Sequence, residues 1–112
     1  MTAQHQLSDR IDEQHARELW VSLASLLRSY TAAHGLNGST QATVELSDDV
    51  IRVRCGQRWL SLTRQDGVIE GRTETGGRFE LHWNEAGDLL TETGEGLPMD
   101  LQAEQWSREL VA

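Results

Sequence analysis

Turn signals recur at short, regular intervals between residues 42 and 92. Residues favouring turns stand at 48–49, 56–57, 66–67, 75–77 and 85–87. The runs between them alternate apolar and polar residues, which is the pattern of strands with one buried face. Strands this short, joined by such tight connections, pair with their neighbours in sequence. The region therefore predicts an antiparallel meander.

Two-residue loops at 48–49, 56–57 and 66–67 give a register that can be tested by hand. Side chains alternate between the two faces of a strand, so a slip of one residue would expose the core. Gly56 comes first in its loop, as a type II′ turn prefers. With these loops the inward face collects the apolar side chains Val44, Leu46, Ile51, Val53, Leu60, Leu62 and Ile69.

The Thr75-Gly76-Gly77 stretch decides where the next strand faces. A Gly-Gly loop would put Phe79, Leu81 and Trp83 on the charged face. A three-residue loop, with Gly77 in the left-handed region, puts them on the apolar face and is the interpretation we favour. It predicts three outer-face pairs: Glu74 with Arg78, Arg72 with Glu80, and Glu70 with His82. In the last strand, near 88–92, either Leu89 or Leu90 points inward.

Residues 9–34 have the periodicity of an amphipathic helix. Leu19, Leu23, Leu27 and Tyr30 recur at spacings of three and four. Ser8 or Asp9 is expected to cap the start, and Gly35 to end the helix in a left-handed conformation.

The C-terminal residues predict a second, shorter helix. Met99, Ala103, Trp106 and Leu110 fall on one helical face. Pro98 suits its first turn, because the amide that proline lacks has no partner there.

The whole chain, residues 1–112, is predicted to form one α+β domain, with residues 1–8 disordered. A long N-terminal helix and a short C-terminal helix pack on one face of a five- or six-stranded antiparallel meander. A helix held by a curled meander resembles the cystatin-like architecture. The small size and acidity are similar to those of type III secretion chaperones. Those chaperones carry a further helix between strands that this sequence lacks, so no residues are carried over from either group.

Composition excludes several function classes. The net charge of −8 argues against nucleic-acid binding. All ten basic residues are arginine, so no site that needs a lysine can form. No apolar run reaches the length of a membrane span, and the N-terminus lacks an apolar signal core. With Cys55 as its one cysteine, the chain is expected in the cytoplasm.

The sequence predicts no catalytic residue, metal ligand or cofactor. The four histidines lack metal-ligand spacing, although His82 beside Glu70 is a candidate pH-sensitive pair. Cys55 is expected to be a small core residue; a reactive thiol near Arg54 and Arg58 is the alternative. Catalytic and phosphate-loop motifs are absent, which argues against an enzyme.

We interpret the arginines between residues 50 and 64 as the solvent-exposed side of the strands, with acidic residues opposite or beside them. Arg58 and Arg64 stand near strand ends, where their long side chains can reach water. Trp59 does not fit this interpretation, because the register puts it on the polar face, where it can stack on Arg54. Tryptophan and arginine are enriched in interface hot spots. The candidate partner-binding residues are therefore Trp59, Arg52, Arg54, Arg72 and Glu74.

Three functions follow, and the sequence ranks them. The first is a non-enzymatic protein-binding module (an adaptor, small chaperone or inhibitor) that binds another protein or a second copy of itself through the outer sheet face or the helices. The second is a ligand pocket or modest enzyme between helix and sheet, near Gly71 and Thr73, where inward side chains are small. The third is an acidic mimic of nucleic acid, for which the helix surface carries Asp9, Asp12, Glu13 and Glu18.

Overall fold

The chain forms an α+β fold in which two helices lie on one face of a seven-stranded antiparallel sheet. The computed structural model describes residues 12–35 and 41–111. Helix α1 spans Glu13–His34 and helix α2 spans Met99–Val111. The strands are β1 Ala42–Leu46, β2 Val50–Cys55, β3 Arg58–Gln65, β4 Val68–Thr73, β5 Arg78–Trp83, β6 Asp88–Leu90 and β7 Gly96–Pro98. They are ordered in space as in sequence, so the predicted meander is confirmed with one or two more strands than expected.

The predicted register of the first three hairpins is confirmed. Leu46 pairs with Ile51, Val53 with Leu60, and Leu62 with Gly71. Asp66 and Gly67 both have positive φ (53° and 80°), as the mirror-image turn of a tight hairpin requires.

The register between β4 and β5 differs from the prediction by two residues. Glu70 lies opposite Glu80 and Arg72 opposite Arg78, so the predicted pairs of Glu74 with Arg78, Arg72 with Glu80 and Glu70 with His82 are wrong. The cause is the loop: the Thr73 N–H donates to Gly77 O (3.1 Å), and the Gly77 N–H donates to Thr73 Oγ1 (3.2 Å). The loop is therefore residues 74–76, and Gly76, not Gly77, has the positive φ (86°).

A slip of two residues keeps every side chain on its predicted face. Leu81 and Trp83 are buried, and Phe79 packs against the core with its ring 5.6 Å from that of Trp106. Leu89, rather than Leu90, is the inward residue of β6. The two helices cover this face, where the deepest side chains are Trp20, Leu23, Leu27, Ile51, Val53, Leu62, Ile69 and Leu89.

Helix boundaries differ in detail from the predictions. Asp12 caps α1, because its Oδ1 accepts the His15 N–H at 2.7 Å; Ser8, Asp9 and the predicted disorder of residues 1–8 lie outside the described residues. Gly35 follows the last helical residue as predicted, but its φ of −90° is not left-handed. Pro98 is the last residue of β7, immediately before α2 rather than in its first turn.

Candidate protein-binding face

The outer face of the sheet carries side chains in rows that run across the strands. Arg54 lies directly opposite Trp59. In the next row Ser61 has Arg52 on one side and Arg72 on the other. Both described helices pack on the opposite face, so this face is the uncovered one in the described part of the chain.

Trp59 is held in place at its backbone. Its N–H donates to Glu74 Oε1 at 2.9 Å, and its side chain is half-buried. The small side chain of Ser61 lies beside it, between Arg52 and Arg72. The structure therefore brings together the five predicted binding residues, called here the Trp59 surface: Trp59, Arg52, Arg54, Arg72 and Glu74.

Positive charge on the outer face is only partly compensated. Arg72 Nε lies 3.0 Å from Glu70 Oε1, and an Arg78 terminal nitrogen lies 3.6 Å from the same oxygen. One carboxylate thus serves two guanidinium groups. Within residues 12–35 and 41–111, no carboxylate lies within 4.0 Å of Arg52 or Arg54. Arg52 and Arg54 therefore lie near Trp59 without a close carboxylate partner among the described residues, although Glu45 lies opposite Arg52 on β1.

His82 does not pair with Glu70. It lies opposite Val68 on one side and Leu90 on the other, because of the two-residue shift between β4 and β5. The predicted pH-sensitive pair is wrong. A contact that sequence reasoning missed brings His34 Nε2 to 3.3 Å from Glu104 Oε1 and links the two helices.

Arg64 contradicts the prediction that it reaches out to water. Its side chain is 12% exposed, because it follows Leu60 and Leu62 at inward positions. Its Nε donates to Asp48 O (2.7 Å), and a terminal nitrogen lies 3.1 Å from Glu13 Oε1. The guanidinium carbon is 5.8 Å from the ring centre of Trp20. Arg64 therefore joins the start of α1 to the sheet. The sequence signal for its inward position is that it follows Leu60 and Leu62 at alternate positions of the strand.

Arg58 contacts the end of α2, and Cys55 is part of the buried core. Arg58 donates from a terminal nitrogen to Glu109 O at 2.9 Å, where the carbonyl end of a helix attracts cations. Cys55 is 8% exposed, as expected of a small core residue. Its burial argues against the alternative of a reactive thiol.

The predicted ligand site near Gly71 is filled. A Cβ atom at residue 71 would overlap the ring of Phe79, which occupies the space that the small residue leaves. A cleft of about 820 Å³ lies instead between the start of α1 and the β3–β4 turn, with Asp49, Arg64 and His82 in its walls. Arg64 is engaged there with Glu13, so this charged pair belongs to the helix–sheet contact.

Two of the acids of α1 are engaged in local contacts, whereas Glu18 is exposed. Asp12 caps the helix, and Glu13 contacts both Arg17 (3.6 Å) and Arg64 (3.1 Å). Asp9 lies outside the described residues. The interleaved arginines weaken the case for a nucleic-acid mimic.

The described residues provide neither a metal-binding cluster nor a membrane-spanning helix. His, Cys, Asp and Glu side chains within residues 12–35 and 41–111 form no group of three able to hold a metal ion. Neither described helix is long and apolar enough to cross a bilayer.

No protein-family model matches the chain, and no curated protein or solved structure is significantly similar to it.

Proposed function

We propose that this protein is a non-enzymatic binding module whose Trp59 surface contacts another protein in the cytoplasm. The observation that carries the proposal is the position of Trp59: a half-buried indole on the sheet face opposite both described helices, near Arg52 and Arg54, which have no carboxylate within 4.0 Å among the described residues. A large aromatic group flanked by arginines is the residue set most enriched at binding hot spots.

The geometry favours a partner that brings both apolar and acidic groups. An indole supplies apolar contact area at a small cost in conformational entropy. The guanidinium groups of Arg52 and Arg54 have no hydrogen-bond partner among the described residues, and an arginine fork can bind a carboxylate through two parallel hydrogen bonds. A carboxylate of the partner would also offset the positive charge of Arg52 and Arg54 at close range.

Site-specific crosslinking tests the proposal. A photo-crosslinking amino acid replaces Ser61, between Arg52 and Arg72, and in a control it replaces the exposed Ser22 of α1 on the other side of the molecule. The proposal expects a discrete protein adduct from position 61 in cells, absent from position 22 and lost when Arg52→Glu and Arg54→Glu are added. Equal adducts from both positions, or none from position 61, would contradict it.

Once an adduct identifies the partner, affinity measures the role of Trp59. Trp59→Ala is expected to weaken binding at least about tenfold, the usual effect of truncating a hot-spot tryptophan. Val68→Ala is the matched control, because Val68 is 40% exposed on the same face but lies towards its other end. An equal loss in both variants would show that Trp59 has no special role.

A further inference from the structure

The two edges of the sheet are protected to different degrees. β7 has three residues and ends at Pro98, which has no amide proton to offer a further strand. β1 is a regular strand of five residues without proline, Ala42–Leu46, and β2 is its one neighbour in the described chain. An open, regular edge is a template for adding another strand.

The backbone groups that β1 leaves available can be identified. The Ser47 N–H donates to Val50 O at 2.8 Å, so residue 47 belongs to a hydrogen-bonded pair with β2. Such pairs alternate along an antiparallel ladder. Residues 43 and 45 therefore bond to β2, whereas the N–H and C=O groups of Ala42, Val44 and Leu46 point away from the sheet.

The inward side of this edge is apolar and incompletely covered. Val44 and Leu46 are half-buried, whereas their β2 partners Val53 and Ile51 are fully buried. A groove of about 480 Å³ separates β1 from the neighbouring flank of α1, which contributes Arg28 and Ala32.

One more side chain extends that apolar strip along α1. Val21 is 47% exposed and lies seven residues before Arg28, on the same flank of the helix. A further strand and its neighbouring helix would cover this apolar surface, next to a strand edge that has no strand partner among the described residues.

We propose that a second copy of this chain docks here, its β1 antiparallel to the first about a two-fold axis at Val44. This register pairs Val44 with its own equivalent and Ala42 with Leu46 of the second copy. These are the residues whose backbone groups point outward, so about six hydrogen bonds form. On the outer face Thr43 lies opposite Glu45 of the second copy, so no like charges meet across the strands.

Charge opposes the pairing and makes it dependent on salt. Both copies carry a net charge of −8, so electrostatic repulsion opposes their association. Repulsion between exposed charges is screened beyond about 10 Å at 0.1 M salt. The dimer is therefore expected to tighten as salt increases.

Sedimentation equilibrium with residue-resolved hydrogen exchange tests the proposal. We expect a reversible dimer across a series reaching millimolar concentration. The Val44 amide should exchange more slowly as the dimer forms, whereas the Glu45 amide, bonded to β2, should not change. A monomer at every concentration, or a dimer in which Val44 exchange does not slow, overturns the proposal and leaves this edge to another occupant, such as a different protein's strand.

Val44→Pro is the decisive variant. Proline removes the outward amide without breaking a bond to β2, and edge strands tolerate it. We expect it to abolish the dimer at concentrations where Val44→Thr retains it. A Val44→Pro dimer of normal affinity would overturn the proposal; if this variant does not fold, the wild-type exchange experiment decides. Trp59→Ala should change the dimer less than about twofold, so this test is independent of the Trp59 surface.

Discussion

The ring of Phe79 lies in the space that a side chain on Gly71 would occupy. The two residues are directly opposite on β4 and β5, and the ring stacks on Trp106 of α2. The absence of a side chain at residue 71 therefore lets an aromatic residue join the sheet to the C-terminal helix.

Gly71→Ala is expected to destabilise the fold by about 1–3 kcal/mol, because the added methyl group overpacks a filled core. Chemical denaturation measures the change. In the Phe79→Leu background the same substitution should cost less, since the obstructing ring is gone. Equal costs in both backgrounds would mean that the ring is not the obstacle.

Arg64→Met is expected to lower the free energy of unfolding by about 1–3 kcal/mol, because Glu13 and the Asp48 carbonyl lose a largely buried partner. Arg17→Met is the control: Arg17 contacts the same carboxylate but is 65% exposed, so its loss should cost less than about 0.5 kcal/mol. Urea denaturation of the two variants compares them directly, and equal effects would refute a structural role for Arg64.

Ser107→Ala is expected to stabilise the protein by about 1 kcal/mol. Ser107 is fully buried, and its hydroxyl has no hydrogen-bond partner among the described residues, so alanine removes a desolvation cost and favours the helix. Ser29→Ala, at an exposed position of α1, should gain about 0.5 kcal/mol or less from helix propensity. A lower melting temperature for Ser107→Ala would show that the hydroxyl is satisfied.

Asp12→Ala is expected to cost about 1 kcal/mol, because the His15 amide loses its acceptor at the start of α1. Asp12→Asn retains a side-chain oxygen at the cap and should remain close to wild type. Thermal unfolding distinguishes the two variants, and the His15 amide should exchange faster in Asp12→Ala alone.

Variants of the Trp59 surface should remain folded. Arg52→Ser and Arg54→Ser remove exposed charges that have no carboxylate partner in the described structure, so each should change stability by less than about 0.5 kcal/mol. Circular dichroism and denaturation check this. A larger loss of stability would mean that reduced binding by these variants reflects unfolding and not the removal of a contact with the partner.

Most of the sheet could be predicted because its turns are short. Two-residue loops leave little choice of register, so the pairings from Ala42 to Thr73 and the face of Trp59 follow from residue alternation. The next hairpin could not be predicted in detail. Its loop is set by a hydrogen bond from the Gly77 amide to the Thr73 hydroxyl, and several glycine-containing loops fit the same letters. β7 is too short for any periodic signal.

The candidate site was predictable in position but not in charge balance. The alternation of side chains along β2 and β3 predicts that Arg54 lies opposite Trp59, as the structure shows. The sharing of Glu70 between Arg72 and Arg78 depends on the shifted register and on side-chain reach, which sequence spacing does not give. Arg64 differs from the prediction because its inward position, which it shares with Leu60 and Leu62, outweighs the tendency of a charged side chain at a strand end to reach water.

The order of the strands has a consequence for how the chain folds. Each strand is hydrogen-bonded to the next one in sequence. The whole sheet can therefore assemble through contacts that are local in sequence, as successive hairpins form. The contact between α1 and α2, by contrast, joins segments from opposite ends of the chain. The contacts of the two helices with each other and with distant strands, such as that of Glu13 with Arg64, therefore carry most of the entropic cost of closing long loops.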